Sequence, residues 1–392
     1  MNGTQEIHIA GVGAISAAGQ STAAFWEALF DPPNGPDQNA IPFPPAQRNA
    51  LRHAYRIPAS AGQVDDFDAL ARAAIVEALQ DAQLRGIAPH RGITGLALGT
   101  AAGDTQTVEQ MRANGIASAF ASTNPYRTIS TLPDTLPVTI DGPCFVNANA
   151  CTAGLYAVAH AAQLLLAGQA DTMIVLAFDC LSRVSQAGFQ RMNALDPDRC
   201  RPFDKRRRGT VLGEGAAAAV LIRRPSEISE ANTYCRISGI GLSCDAHHPT
   251  APHPDGRDIA RAIDLALRSA RTSPDEIDFV VPHGTGTETN DRIEAEALAN
   301  VFGGNAAIPP LLSIKAHIGH TAGASGMFSL LAATYALTRR QLPAGGRCEQ
   351  PDPAIPIRMT APLAQKHSLR ALVQASAFGG NNVALVLQGA SA

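Results

Sequence analysis

The feature that most constrains this chain is a repeated strand pattern. Residues 7–15 read IHIAGVGAI and residues 235–243 read CRISGIGLS, two apolar segments punctuated by glycines. Each segment is followed by a stretch with the apolar spacing of a helix, residues 66–84 in the first case and residues 257–271 in the second. A unit that recurs in this way predicts a chain built from two similar halves.

The parallel extends beyond the first strands. Strands at 93–99 and 277–281 each end in a loop rich in Gly and Thr, and small residues lead into second helices at 152–167 and 321–337. Continuous apolar strands that alternate with helices predict an α/β architecture with sheets buried on both faces. We therefore expect a pseudo-duplicated α/β fold with its functional loops at the strand ends.

The boundary between the halves is predicted near residues 225–234, which gives an N-terminal half of 1–230 and a C-terminal half of 231–392. The Pro-rich stretch 31–58 is predicted to be a surface excursion. Residues 179–210 form a long polar insertion without a counterpart in the second half.

Composition excludes several classes of protein. A net charge of -3 argues against a nucleic-acid binder, which needs a broad basic surface. No run of about 18 apolar residues predicts a membrane span, and no secretory signal is expected. Seven cysteines without CxxC spacing argue against a zinc site or a full disulfide framework. We expect a cytoplasmic protein with free thiols and no metal.

One cysteine stands where an apolar strand gives way to a helix of small residues, in the run NACTAG that contains Cys151. A cysteine at a helix N-terminus lies among unpaired N–H groups at the positive end of the helix dipole, which favours its thiolate. Cys151 is therefore the candidate nucleophile, although any one cysteine is more often buried and inert. The remaining cysteines are assigned to packing or to the surface: Cys144, Cys180, Cys200, Cys235, Cys244 and Cys348.

Two histidines stand at similar strand ends. His283 opens the run HGTGT, in which glycines let the backbone approach a ligand and threonines supply hydroxyl donors. His320 precedes another helix of small residues, where the helix dipole disfavours its protonated form. Taken alone, Lys315 could be a surface ion-pair residue, and His317 is expected to be packed or exposed. The combination of three such loops indicates an active site.

Five motifs then occur in a fixed order. They are Cys151, the run FDKRRRGTVLGEG at 203–215, His283, the K-x-x-x-G-H segment from Lys315 to His320, and the run FGGNN at 378–382. Together they resemble the β-ketoacyl-(acyl carrier protein) synthases of the thiolase superfamily, along essentially the whole chain. Thiolases have a second cysteine in the C-terminal loop, which this chain lacks. Initiating synthases have Asn where this chain has His320.

The resemblance implies a thiolase-like fold in αβαβα layers and a decarboxylating Claisen condensation of an acyl-Cys enzyme with malonyl-acyl carrier protein. It implies that the protein itself binds no cofactor, because phosphopantetheine arrives on the acyl carrier protein. A second subunit is also implied, either identical or similar to a chain-length factor. The implied roles are catalysis by Cys151, His283, Lys315 and His320, an oxyanion hole from the backbone N–H groups of Cys151 and Phe378, pantetheine contacts from Thr285 and Thr287, and an acyl pocket lined by Phe189, Phe378 and Ala102.

Three positions depart from the pattern of fatty-acid elongating synthases. Ser329 stands where many of them have a glutamate, Thr210 where they have an aromatic residue, and Asn381 where they have a threonine. At these positions the chain resembles the dedicated synthases of polyene pathways. The resemblance therefore implies a type II fatty-acid-like or a polyene or polyketide pathway.

Two alternatives use the same residues differently. An acyltransferase or thioesterase would load Cys151 and pass the acyl group to water or an amine, without release of carbon dioxide. A subunit whose main role is assembly with a ketosynthase partner would have no reason to keep Cys151, His283, Lys315 and His320 together.

A basic run follows the insertion and supports two interpretations. Its members form either a solvated face, with Asp204 and Arg208 in internal pairs, or a docking surface for an acidic carrier protein. They are Arg199, Arg201, Lys205, Arg206, Arg207 and Arg208.

Overall fold

The structure, a computed structural model, describes most of the chain. The described residues are 6–31, 35–38, 40, 53–58, 67–88, 92–113, 115, 127–223, 228–343, 348–355, 357–359, 363 and 366–391. Their strands are β1 (Ile7–Ser16), β2 (Thr94–Gly99), β3 (Cys144–Asn147), β4 (Thr172–Asp179), β5 (Gly215–Arg223), β6 (Cys235–Cys244), β7 (Phe279–Val281), β8 (Arg370–Ser376) and β9 (Asn381–Gly389). Their helices are α1 (Thr22–Phe30), α2 (Phe67–Leu84), α3 (Thr105–Ala113), α4 (Thr128–Thr131), α5 (Ala153–Leu166), α6 (Arg183–Arg191), α7 (Arg257–Ala270), α8 (Glu288–Phe302), α9 (Lys315–Ile318) and α10 (Ser325–Arg339).

The strands form a continuous hydrogen-bonded ladder in the order β3-β2-β4-β5-β1-β6-β9-β8-β7. The first strands of the predicted halves, β1 and β6, lie side by side at the middle of this order. They pair antiparallel only between 7–9 and 235–237, whereas β1 pairs with β5 along its whole length. The ladder is therefore almost divided into two sheets, as the sequence repeat predicts.

The glycines of the repeat explain how each half begins. A Cβ added to Gly13 would lie 2.0 Å from the carbonyl oxygen of Ala74 in α2. In the second half, a Cβ on Gly241 would lie 1.9 Å from the carbonyl oxygen of Ala262 in α7. Only a residue without a side chain lets a helix lie this close to a strand. The register of both strands also shifts next to the first glycine of each pair.

Apolar clusters separate the layers. One cluster lies between α2 and the strands of the first half, and another between α7, α8 and the strands of the second half. The largest cluster surrounds α5 and α10, which are packed between the inner faces of the two sets of strands. The order helix, sheet, helix, sheet, helix confirms the expected thiolase-like αβαβα layering.

The two central helices begin in the same way. A 3-10 turn, Ala150–Thr152, leads into α5, and a second turn, Ala322–Ala324, leads into α10. The first residue of each turn is an alanine with positive φ, 48° at Ala150 and 45° at Ala322. This conformation is costly for a residue with a Cβ, so it persists only where the surrounding packing imposes it. The two turns contact each other, which brings Cys151 against the loop that follows His320.

One expectation about the surface was wrong. Within the predicted excursion 31–58, Tyr55 is buried, its N–H donates to the Leu212 carbonyl oxygen at 2.9 Å, and its hydroxyl donates to the Ala316 carbonyl oxygen at 3.3 Å. The described apolar residues Ala54, Tyr55 and Ile57 are buried, since prolines signal turns and not exposure. Residues 32–34, 39 and 41–52 lie outside the described part of the chain.

Two further elements bear on the site. Within the polar insertion the structure places α6, and after the HGTGT run it places α8, neither of which was predicted. The boundary near 225–234 stays a prediction. No described helix combines the length and the apolar character required to cross a bilayer.

Candidate active site

A cavity of about 430 Å³ opens at the ends of the strands. The predicted site residues in its lining are Cys151, Phe189, His283, Thr285, Thr287, His320 and Phe378. The three loops that the sequence singled out therefore meet at one place. Lys315 and Ala102 do not belong to this lining among the described residues.

Cys151 is 8% exposed and lies in the 3-10 turn between β3 and α5. Burial raises the pKa of its thiol to about 12, the charge of Lys315 lowers it in part, and the carboxylate of Asp179 raises it. Burial therefore opposes the thiolate that the helix end favours. Desolvation outweighs the favourable helix end, so the resting group is the thiol.

His283 ends β7 and is fixed on both sides. Its Nδ1 lies 3.4 Å from Lys315 Nζ, and the same Nζ donates to the His283 carbonyl oxygen. Its backbone N–H donates to Glu294 at 2.6 Å, and the N–H of Gly284 donates to the same carboxylate at 2.8 Å. Because a lysine nitrogen donates to Nδ1, the ring proton is placed on Nε2. Burial, then Lys315 and His320, hold the pKa of His283 well below its ordinary value, so the ring is neutral.

Lys315 is only 1% exposed, which excludes a surface ion pair. Burial lowers the pKa of its ammonium, while the nearby Glu294 opposes that shift. Burial in turn raises the pKa of Glu294 to about 7. The lysine and the carboxylate thus form a coupled buried pair behind His283.

His320 has a different setting. Its Nδ1 lies 2.8 Å from the hydroxyl oxygen of Ser325, the first residue of α10. The Phe189 ring meets it edge-on with 6.2 Å between ring centroids, and the His283 ring meets it at 5.5 Å and 83°. Burial and then the charge of Lys315 hold the pKa of His320 well below its ordinary value. The two rings that line the cavity are therefore both neutral.

The threonines of the HGTGT run lie in a turn held by Asp291. The hydroxyls of Thr285 and Thr287 are 2.8 Å apart, and the Thr285 N–H donates to Asp291 at 3.0 Å. The same carboxylate accepts the Phe203 N–H at 2.7 Å and lies 4.0 Å from the Arg207 guanidinium. Asp291 on α8 therefore joins the HGTGT turn to the FDKRRRG run.

The basic run is divided between buried and exposed residues. Arg207 is buried, with its guanidinium 2.5 Å from Asp352. The predicted Arg208 pairs with the buried Asp196 at 3.8 Å. Asp204 is fully buried and bonds Arg206 at 3.1 Å, which confirms its internal pair. Arg208 is 59% exposed and lies in the lining of the cavity. The acids that bind Arg207 come from distant parts of the chain, so local sequence could not select it.

Two phenylalanines close one side of the cavity. Phe189 on α6 and Phe378 have stacked rings, with 5.5 Å between centroids and 26° between planes. Ala102 lies elsewhere, where its N–H donates to Asp179 at 3.0 Å. Asp179 also accepts the Gly323 N–H at 2.7 Å, and burial raises its pKa to about 6. The assignment of Ala102 to the acyl pocket stays a prediction.

Sequence reasoning missed four residues that position these groups. Asp291 and Glu294 follow His283 by eight and eleven residues, and their i, i+3 spacing on a helix after a Gly/Thr loop was an available signal. Ser325 follows His320 by five residues and had a weaker signal, a hydroxyl at a helix start. Asp179, at the end of β4, had only its position at a strand end.

One group of the described residues could hold a metal ion. Ligand atoms of Glu6, His8 and Glu230 all lie within 4.8 Å of one another. None of these residues lines the cavity, and the arrangement described above uses none of them.

Comparisons with protein families match the chain in two parts. The description "Beta-ketoacyl synthase, N-terminal domain" fits residues 39–226, and "Beta-ketoacyl synthase, C-terminal domain" fits residues 234–348. The ketoacyl synthase alpha subunit of the tetracenomycin polyketide synthase of Streptomyces glaucescens is 31% identical over 98% of this chain and 97% of its own. The 3-oxoacyl-[acyl-carrier-protein] synthase 2 of Synechocystis is 29% identical, with 98% of both chains covered.

Solved structures agree with these matches. A ketosynthase from Xenorhabdus doucetiae, determined in complex with its chain length factor, superposes with a TM-score of 0.81 at 28% identity over 98% of each chain. A type II polyketide ketosynthase structure with its acyl carrier protein gives a TM-score of 0.84 over 98% of this chain and 100% of that one. At 22% identity this match bears on the fold alone.

Proposed function

Because the chain belongs to the β-ketoacyl synthase family of acyl-transferring enzymes, we propose that it catalyses a decarboxylating Claisen condensation. An acyl group on Cys151 is joined to malonyl-acyl carrier protein, which gives 3-oxoacyl-acyl carrier protein and carbon dioxide. One observation carries this proposal: Cys151 shares a single cavity with two neutral imidazoles, His283 and His320. Neutral N–H donors stabilise a developing enolate oxygen without a net positive charge on the ring.

In the loading step, Cys151 attacks the thioester carbonyl of an acyl-carrier donor. Since burial raises the pKa of the Cys151 thiol to about 12, the nucleophile forms only as its proton leaves. Because both imidazoles present N–H donors to the cavity, that proton passes instead to the departing carrier thiolate. One thioester replaces another, so loading consumes no proton.

The tetrahedral oxyanion of this step requires fixed donors. We assign the backbone N–H groups of Cys151 and Phe378, which lie in 3-10 turns at the same cavity. Removal of one such donor typically costs on the order of 10²–10³ in rate.

In the condensation step, His283 and His320 hold the thioester carbonyl oxygen of the malonyl group. The bond to the carboxylate breaks, carbon dioxide leaves, and the electron pair forms an enolate. The enolate carbon attacks the acyl carbonyl on Cys151, the sulfur departs, and one proton from solvent restores the thiol. Lys315 supports this step because it donates to Nδ1 of His283 and leaves the Nε2 proton for the substrate.

The remaining lining residues are proposed to bind the substrate arms. Thr285 and Thr287 offer hydroxyls to the amides of phosphopantetheine, which is part of the incoming carrier and not a group that the enzyme retains. The stacked rings of Phe189 and Phe378 stand between the cavity and the acyl pocket, for which Ala102 is the proposed far end.

A second subunit is proposed to dock on β3, the terminal strand of the ladder. The side chains of Phe145 and Val146 in this strand are only half-buried. An open strand edge with apolar side chains is a template for pairing with another chain. The partner is a second copy or a relative of the chain length factor found with the Xenorhabdus ketosynthase. The pathway is proposed to be of the type II fatty-acid-like or polyene or polyketide kind, and the cytoplasmic location stays a prediction.

Intact-protein mass spectrometry tests the reaction. The protein is mixed with a short acyl-carrier and malonyl-carrier, and released carbon dioxide is measured in parallel. We expect an acyl adduct on the protein, followed by a carrier-bound product two carbons longer. Cys151→Ala should show neither. Cys235→Ala is the matched control, since Cys235 is also buried with a thiol pKa raised to about 12 but lies on β6 outside the cavity.

The other possible results of this experiment distinguish the alternative functions. An adduct without carbon dioxide or elongation, unchanged when a chain length factor is added, would support the acyltransferase or thioesterase alternative. Elongation that appears only with the added factor would assign a heterodimer. Light scattering of the chain alone would then show no dimer. The absence of an adduct with every donor would remove Cys151 from the nucleophile role.

A further inference from the structure

Two buried hydroxyls stand behind the His320 ring. Ser325 Oγ lies 2.8 Å from His320 Nδ1, and Thr321 Oγ1 lies 3.3 Å from Ser325 Oγ. Both residues are almost fully enclosed, and neither lines the cavity. Since Nδ1 is occupied by Ser325, Nε2 is the ring nitrogen that remains for a substrate.

The direction of these bonds follows from a count of hydrogens. Each hydroxyl has one hydrogen, and a buried O–H without an acceptor costs about 1–3 kcal/mol. If Thr321 donates to Ser325 and Ser325 donates to His320 Nδ1, both hydrogens have acceptors. In the reverse direction Ser325 donates to Thr321, and the hydroxyl hydrogen of Thr321 then needs another acceptor. Among the described residues no such acceptor bonds it.

We propose that Ser325 is a positioning residue, which donates to Nδ1 of His320 and thereby keeps the ring proton on Nε2, where it can hold the malonyl thioester oxygen. The inference rests on the proposed condensation. It gives His320 the same tautomer as His283, although by a different donor. At His283 the donor is the Lys315 nitrogen, and at His320 it is a hydroxyl supported by Thr321.

Ser325→Ala tests this assignment. Without the hydroxyl, Nδ1 has no donor, and part of the His320 population can move its proton to Nδ1. We expect elongation to fall on the order of 10-fold, as for loss of one oriented hydrogen bond at about 1 kcal/mol or slightly more. Loading of Cys151, followed by intact mass, should fall less than elongation, because loading does not use the Nε2 proton of His320. Ser325→Cys, with its weaker S–H donor, should restore part of the loss.

The tautomer itself provides a readout that a merely structural role would not change. In ¹⁵N-histidine-labelled protein, the His320 ring signals, assigned by their loss in His320→Ala, should show Nε2–H in the wild type. Ser325→Ala should shift them towards Nδ1–H. Ser329→Ala is the matched control, since Ser329 is equally buried one turn later on α10 and should leave tautomer and rates unchanged.

The outcomes separate the two proposals. An unchanged tautomer in Ser325→Ala, or equal losses of loading and elongation with a lower melting temperature, would overturn the positioning role. Failure of the wild type to elongate, both alone and with an added chain length factor, would refute the proposed function, while the ring signals would still decide whether Ser325 sets the tautomer.

Discussion

The two histidines of the cavity lie with ring centroids 5.5 Å apart, yet they are held by different chemistry. Behind His283 lie charged groups, the buried Lys315 and the carboxylate of Glu294. Behind His320 lies the hydroxyl of Ser325, while the ring of Phe189 meets the imidazole at the cavity. Both imidazoles are nevertheless neutral, because burial is the first cause of the lowered pKa in each case.

The difference teaches that neutrality and orientation have separate origins here. Burial is the largest cause that keeps either ring uncharged, followed by the charge of Lys315. The direction of the ring proton depends on the Nδ1 partner, which can only donate at His283 and could donate or accept at His320. The His283 side is therefore fixed by a charged pair whose disruption is costly, whereas the His320 side depends on a single hydroxyl.

The strongest test of this comparison is Lys315→Met. Loss of the lysine removes the donor to His283 Nδ1 and to its carbonyl oxygen, and leaves Glu294 without its nearby cation. We expect elongation to fall on the order of 10²–10³-fold, the range typical for loss of a fixed electrostatic donor. The rate of 3-oxoacyl product formation measures this effect. It should exceed the loss in Ser325→Ala.

Lys366→Met is the control, because this lysine is partly exposed and lies outside both the cavity and the basic run. Thermal unfolding of each variant shows whether a lost rate reflects a lost fold. A loss in Lys315→Met no larger than that in Ser325→Ala would contradict the view that the charged side is the more strongly fixed one.

A second test uses the pH dependence of stability. Burial raises the pKa of Glu294 from 4.5 to about 7, so the folded state binds a proton that the unfolded state releases. The contribution of this group to the free energy of unfolding is present below about pH 4.5 and is lost as pH rises through 7. The loss is on the order of 3 kcal/mol. Glu294→Gln carries no such proton.

Chemical denaturation at pH 5 and pH 8 measures this effect. We expect the wild type to lose more stability between the two values than Glu294→Gln does. Glu296→Gln provides the control, since Glu296 is a half-exposed residue of the same helix paired with Arg292. Equal losses in wild type and Glu294→Gln would show that the buried carboxylate does not titrate in this range.

Much of this arrangement could be predicted from the sequence, because its origin is local. The repeat of apolar, glycine-containing strands predicted the two halves, since the glycines are required where a helix lies on each first strand. Cys151, His283 and His320 could be selected from the glycines and small residues around them. Cys151 and His283 each follow a strand, whereas His320, also predicted at a strand end, follows the short helix α9. Their neighbours in sequence were sufficient evidence.

What the sequence missed depends on contacts between distant segments. The partners of His283 come from α8 and α9, and the burial that raises the pKa of Cys151 comes from the packing of both halves around it. Helix-end position alone suggested a thiolate, because desolvation cannot be read from neighbouring residues. The same reason explains why Arg207 was not selected as an internal cation, since Asp291 and Asp352 are far away in the chain.

The smallest expected effect concerns the hydroxyls of the two histidine loops. Those of Thr285 and Thr287 lie at the cavity, whereas that of Thr321 is enclosed behind the His320 ring. The first pair is thus available to a pantetheine amide and the last only to the protein. Thr287→Val should raise KM for carrier-bound substrates about 5-fold, the value of one hydrogen bond of about 1 kcal/mol, with kcat retained. Thr338→Val is the control, because its hydroxyl bonds the Thr334 carbonyl oxygen within α10. If kcat fell while KM stayed constant, Thr287 would act on the reacting groups instead. The assignment of substrate binding to the His283 loop and of ring positioning to the His320 loop would then be wrong.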